Sequence, residues 1–234
     1  MTSSSLTSSW AVCGIAAAAA RFVPVPLLDD VIRERATRVA VLRTVRAHGR
    51  DLPADALAPL WGEREGQASG LRRRLRGAPA RLLLFPVRKY TALFGAVRGV
   101  PTDVMRVVLL ARTVDRRLDR GELAGVDRLP EQARALRRAV DEAIDEMDLR
   151  LLTAALGEVL SQSRDLTTAA VAYVRRRSSA PDADPAADPD LEPGADDPLA
   201  DGAQRVSEVL RRPDVAELLA RFDRQVDAHL SAGG

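Results

Sequence analysis

Two clusters of carboxylates are the residues in this chain whose types and spacing could do chemistry. Asp29, Asp30 and Glu34 open one apolar periodic segment, and Asp141, Glu142, Asp145, Glu146 and Asp148 lie within another. Paired carboxylates at i, i+1 and i+4, of which i and i+4 share one side of a helix, can bind Mg2+ and present it to a diphosphate, the arrangement all-helical prenyl-transferring enzymes use. A structural role competes with that chemistry. Asp29 and Asp30 suit the positive end of a helix dipole, and the later acids have Arg137, Arg138 and Arg150 as neighbours for ion pairing.

Composition favours the structural role. A Mg2+-dependent prenyl-diphosphate enzyme needs an aromatic pocket to stabilise a carbocation, and aromatic residues are only 3% of this chain. Other chemistry is poorly supplied. His48 and His229 are the two histidines, and neither has a metal-ligand partner at a recognised sequence spacing. Cys13 is the single cysteine, set in an apolar stretch with no base nearby, so neither an intrachain disulfide nor an activated thiolate is expected. No Gly-x-Ser-x-Gly elbow or phosphate-cradling glycine loop occurs. The expectation is a non-enzymatic protein with no catalytic residue, metal or cofactor.

Charge is the stronger signal. From Arg72 to Arg112 ten basic residues face one acid, Asp103, whereas Asp182 to Asp201 contains eight acids and no base. Arg72, Arg73, Arg74 and Arg76 precede Arg81, Arg88 and Lys89, which flank the apolar runs Leu82–Phe85 and Tyr90–Phe94. Cations beside an apolar face suit an anionic membrane surface, where the arginines meet headgroups and the apolar side chains enter the interface. A protein partner is the other expected ligand class. Nucleic acid fits less well, because no recognition motif or stacking aromatic accompanies the arginines. Lys89 is the one lysine among 35 basic residues, a bias typical of GC-rich coding.

The elements that must carry these residues are all helical. Residues 6–21 form an Ala-rich helix, for which a targeting role is the competing reading. Val23-Pro24-Val25-Pro26 leads into a helix over 27–47, with an apolar stripe of Leu28, Val31, Ile32, Val39, Leu42 and Val45, closed by His48-Gly49. A short helix follows at 54–60. Helices over 80–98 and 102–119 should make a central hairpin, with Thr102 as N-cap and Val104, Val107, Val108, Ala111, Val114 and Leu118 buried. One long helix should run from Pro130 to Arg177, bent or split near Gly157 or 161–165. Its stripe includes Leu136, Val140, Ile144, Met147, Leu151, Leu152, Ala155, Val159, Leu166, Ala170 and Val174.

The domain reading is therefore an N-terminal helix (1–21), a helical body (22–177), a disordered acidic Pro/Asp/Ala linker (178–203) and an amphipathic docking helix (204–230). The fold class is all-α, an irregular helical bundle. The linker has the charge to fold over the basic surface and compete with anionic partners. No run of 18 apolar residues spans a membrane, so the expected location is cytoplasmic, peripheral to the inner face of the plasma membrane. Composition gives no oligomeric state.

The Pro24-Val25-Pro26-Leu27-Leu28-Asp29 entry and the His48-Gly49-Arg50-Asp51-Leu52 exit resemble the Pro-x-Pro–hydrophobic–Asp and aromatic-Gly-x-x-Leu pattern of EcsC-like and YcjF-type bacterial helical proteins. His48 stands where an aromatic is usual. Over residues 22–120 this resemblance implies a helical, membrane-associated protein and supplies no catalytic residue.

Overall fold

The computed structural model describes residues 3–22, 28–62, 99–123, 125–162, 165–178 and 197–233. Among them every regular element is helical: α1 (Ser3–Ala19), α2 (Leu28–Ala47), α3 (Ala54–Leu57), α4 (Val100–Asp119), α5 (Leu129–Glu146), α6 (Arg150–Ser161), α7 (Leu166–Ser178), α8 (Pro198–Leu210) and α9 (Pro213–Ala232). Short 3-10 turns cover Ala20–Phe22, Ala58–Leu60 and Val126–Arg128. The chain is an all-α bundle.

α1 is its axis. From Trp10 on it is apolar on every side, as suits a helix inside a bundle, and residues 9–20 are all buried. α2, α4, α7 and α8 surround it. Small side chains make this possible. A Cβ on Gly14 would lie 3.0 Å from the carbonyl oxygen of Val104 and 3.1 Å from its Cα, so α1 and α4 touch backbone to backbone there. On another side, a Cβ on Gly202 of α8 would lie 3.4 Å from the Ile15 side chain and 2.8 Å from that of Leu166. Polar side chains lock the same helix: Trp10 Nε1 donates to Thr44 Oγ1 at 2.8 Å, and Arg43 donates to Ser9 Oγ at 3.0 Å.

α4 buries all six residues of its expected stripe. Gly99, in the left-handed region at φ 93°, stands at its N-cap, with Pro101 in the first turn. Thr102 therefore lies inside the helix and is not its cap. The expected 80–98 half of the hairpin lies outside the described residues.

The long segment expected from Pro130 to Arg177, bent or split near Gly157 or 161–165, is three helices. The split at 161–165 is present, between Ser161 and Leu166, and a further, unexpected break lies at 147–149. Met147 turns extended, at ψ 144°, and ends α5. Asp148 then accepts from the Arg150 backbone N–H at 3.1 Å and from its side chain at 2.6 Å, an arrangement that starts α6. Arg150 holds the Asp148 carboxyl down to about 2. Two stripe assignments also fail: Val31 and Leu151, both within the first turns of their helices, are exposed.

Residues 198–203, assigned to the acidic linker, are helical. Asp197 caps α8 by accepting from Leu199 N–H at 2.9 Å, and Pro198 fits the first turn. The expected docking helix is thus a pair, α8 and α9, broken where Pro213 follows an extended Arg212. The apolar face of α9 (Val215, Leu218, Leu219, Phe222, Val226) is buried, with α5 as its main neighbour.

Candidate functional site

None of the expected anionic-surface residues, Arg72, Arg73, Arg74, Arg76, Arg81, Arg88 and Lys89, lies within the described residues. The described chain shows where their segment attaches, between Gly62 and Gly99, and what stands around those ends.

A cavity of about 470 Å3 opens beside Gly62. Three helices build its walls in the same i, i+3, i+4, i+7 register: Asp30, Arg33, Glu34 and Thr37 from α2; Asp103, Arg106, Val107 and Leu110 from α4; Arg137, Val140, Asp141 and Ile144 from α5. Ala17 and Trp61 complete the lining. The two acidic clusters seen in the sequence therefore line one cavity in part, through Asp30, Glu34 and Asp141, without gathering their carboxylates at one point. Guanidinium groups lie between them. Arg33 donates to Asp30 at 3.1 Å, and Arg137 donates to Asp141 at 3.0 Å and to the Leu60 carbonyl at 2.8 Å. Arg106 lies 3.7 Å from Asp141 and 3.5 Å from Asp145. Asp103 is paired with Arg21, whose guanidinium is pushed up by that hydrogen bond. The cavity rim is a network of ion pairs across α2, α4 and α5, as the structural reading of the acids anticipates.

Both histidines have partners that sequence spacing did not reveal. His48 follows α2, where Gly49 N–H donates to the Arg46 carbonyl at 2.8 Å and Arg50 N–H to the Val45 carbonyl at 3.2 Å. This is a Schellman motif, with Gly49 in the left-handed region at φ 66°. It fixes the His48 ring against α4, with Nε2 2.8 Å from Asp115 Oδ1 and Nδ1 3.6 Å from Asp119 Oδ1. One donor atom from each of the three residues can be chosen so that all lie within 4.8 Å of one another. His229 on α9 likewise sits between two acids of α5, 3.3 Å from Glu142 and 3.1 Å from Glu146.

A third cluster joins α4 to α9. Arg116, Arg117 and Arg120 converge on Asp227, and Arg112 pairs with Asp223 at 3.0 Å. Burial alone would raise the Asp227 carboxyl, but the hydrogen bonds and charges of these arginines lower it on balance.

No family model matches the chain, and neither does any curated protein or solved structure. Its functional reading comes from the residues themselves.

Proposed function

We propose that this protein is a non-enzymatic helical component that attaches to an anionic membrane surface, at the inner face of the plasma membrane, through the segment between Gly62 and Gly99. One observation carries the reading. Residues 63–98 hold nine basic and two acidic residues, residues 179–196 hold six acids and no base, and the rest of the chain holds 26 basic and 25 acidic residues. The helical body is near neutrality, and many of its arginines meet carboxylates in ion pairs. The excess positive charge belongs to one insertion that also carries the apolar Leu82–Phe85 and Tyr90–Phe94 runs. The EcsC-like entry and exit of α2 support the same reading. Among the described residues no helix is long and apolar enough to cross a membrane, and a peripheral attachment needs none.

Flotation of the full chain with phosphatidylglycerol and with phosphatidylcholine vesicles tests this. Each arginine near an anionic surface contributes about 1 kcal/mol, so changing Arg72, Arg73, Arg74 and Arg76 to Gln should weaken attachment to the anionic vesicles by about a thousandfold. Binding to heparin or nucleic acid without flotation would instead make the protein a polyanion binder. Failure to bind any of these would leave a protein partner as the ligand of the basic segment.

The cavity is where a second reading, a Mg2+-dependent diphosphate-binding protein, can be tested: Asp30, Glu34 and Asp141 line it, although their carboxylates do not gather closely enough to share one ion. Trp61 on its wall is a reporter. Quenching by pyrophosphate that requires Mg2+ would favour this reading, and an unchanged emission would dismiss it.

A further inference from the structure

We infer that His48, Asp115 and Asp119 form a binding site for a divalent transition-metal ion, Zn2+ foremost, that staples the ends of α2 and α4 together. Three features of the fold lead to this, and none depends on the attachment proposed above.

The first is the donor set. One imidazole and two carboxylates form a mixed nitrogen and oxygen site, and imidazole shifts preference from Mg2+ and Ca2+ toward zinc and its first-row neighbours. Three protein ligands leave at least one position for water. Asp115 and Asp119 are one turn apart on α4, so both carboxylates face His48. One donor atom from each of the three residues lies within 4.8 Å of the others, but the short contacts fall on different ring nitrogens. Metal bonds of about 2.0–2.2 Å therefore require a swing of Asp119 toward the nitrogen that Asp115 faces. Asp119 has the freedom to make it, being 68% exposed.

The second is the field. Arg33 lies 3.9 Å from Asp103 near the starts of α2 and α4, and His48 meets Asp115 and Asp119 near their ends. The two helices therefore run side by side in the same direction, and the negative ends of two 20-residue dipoles converge on the cluster. Such a place favours a cation.

The third is rigidity. α4 ends, like α2, in a Schellman motif: Gly121 N–H donates to the Leu118 carbonyl at 3.0 Å and Glu122 N–H to the Arg117 carbonyl at 2.9 Å. Both helix ends are thus fixed on either side of the ligands. A preorganised site loses less on binding than one that must be assembled.

His229 supplies an internal control. It too bridges two carboxylates one turn apart, but Gln225 Nε2 donates to Glu146 at 2.7 Å, and the acids are the longer glutamates, whose donor atoms do not gather with the imidazole as those of the His48 cluster do. The test is calorimetric titration of the full chain, freed of metal by chelator, with ZnCl2 and separately with MgCl2. A single Zn2+ equivalent should bind, with no comparable Mg2+ heat, and Co2+ should give visible d–d absorption. Asp119→Asn changes one exposed atom and leaves the core untouched; like His48→Ala, it should weaken Zn2+ binding by more than about tenfold. His229→Ala should leave binding unchanged. Absence of Zn2+ binding overturns the inference. So does binding that survives Asp119→Asn, or that falls equally with His229→Ala, since either would describe general surface chelation.

Discussion

Replacing Gly14 with alanine sets two effects of known size against each other. In an exposed helix the change would stabilise by about 1 kcal/mol, because alanine gives up less backbone freedom than glycine. At this position the new methyl meets Val104: its carbonyl oxygen at 3.0 Å, its Cα at 3.1 Å and Cγ1 at 3.2 Å. Two of these three atoms are backbone and cannot rotate aside. α4 must move out by a few tenths of an ångström along a face that also buries Val100, Val107 and Val108. Overpacking of this kind costs about 1–3 kcal/mol. Because two of the three contacts are backbone, the steric cost exceeds the gain in backbone entropy, and Gly14→Ala should lower stability by up to about 2 kcal/mol, measured from urea midpoints at constant slope. Ile15→Ala, at a fully buried neighbour, calibrates the assay with an expected loss of about 2–5 kcal/mol. A Gly14→Ala midpoint raised toward the gain of about 1 kcal/mol expected in an exposed helix would refute the close approach of α1 and α4.

Phe222→Ala should cost about 3–5 kcal/mol, because its side chain is fully buried beneath α9; protease sensitivity confined to the C-terminal residues would locate the loss. Asp227→Asn should cost about 1–3 kcal/mol by removing the negative charge, and one of the two acceptor oxygens, on which Arg116, Arg117 and Arg120 converge. The same carboxyl sets a pH dependence. Lowered in the folded protein, it contributes stability above the unfolded carboxylate pKa, and that contribution disappears as pH falls through the folded value. Denaturation midpoints of the parent should therefore fall more steeply below about pH 4 than those of Asp227→Asn. Trp10→Phe should lose about 1 kcal/mol, since Thr44 keeps its bond to the Ala40 carbonyl but loses its indole donor.

The parts of the fold legible in the sequence are those where one side of a helix differs from the other. Val104, Val107, Val108, Ala111, Val114 and Leu118 announce their burial by spacing, and so do Val215, Leu218, Leu219, Phe222 and Val226. α1 shows the opposite case. From Trp10 on its residues are apolar all round, so periodicity marks no inner face, and an Ala-rich core helix looks much like a segment built for targeting. The break at Met147 was hidden because the apolar stripe continues in step across it; what stops the helix is Asp148 bonding forward to Arg150. The His48 cluster was half visible. Asp115 and Asp119 stand at i and i+4, but their histidine lies 67 residues before Asp115 and reaches it through the parallel placement of α2 and α4. Only tertiary topology supplies that.

The position of α1 has a consequence for how the chain is made. Its neighbours include α8, and Ser8 meets Ser207 across 199 residues of chain. At about 5–20 residues per second, the ribosome takes roughly 10–40 seconds to deliver α8 after α1 has emerged. Through that interval a helix apolar on every side has only part of its packing shell. Newly made chains should therefore present a hydrophobic segment to chaperones, and translation halted before α8 should yield protein that aggregates.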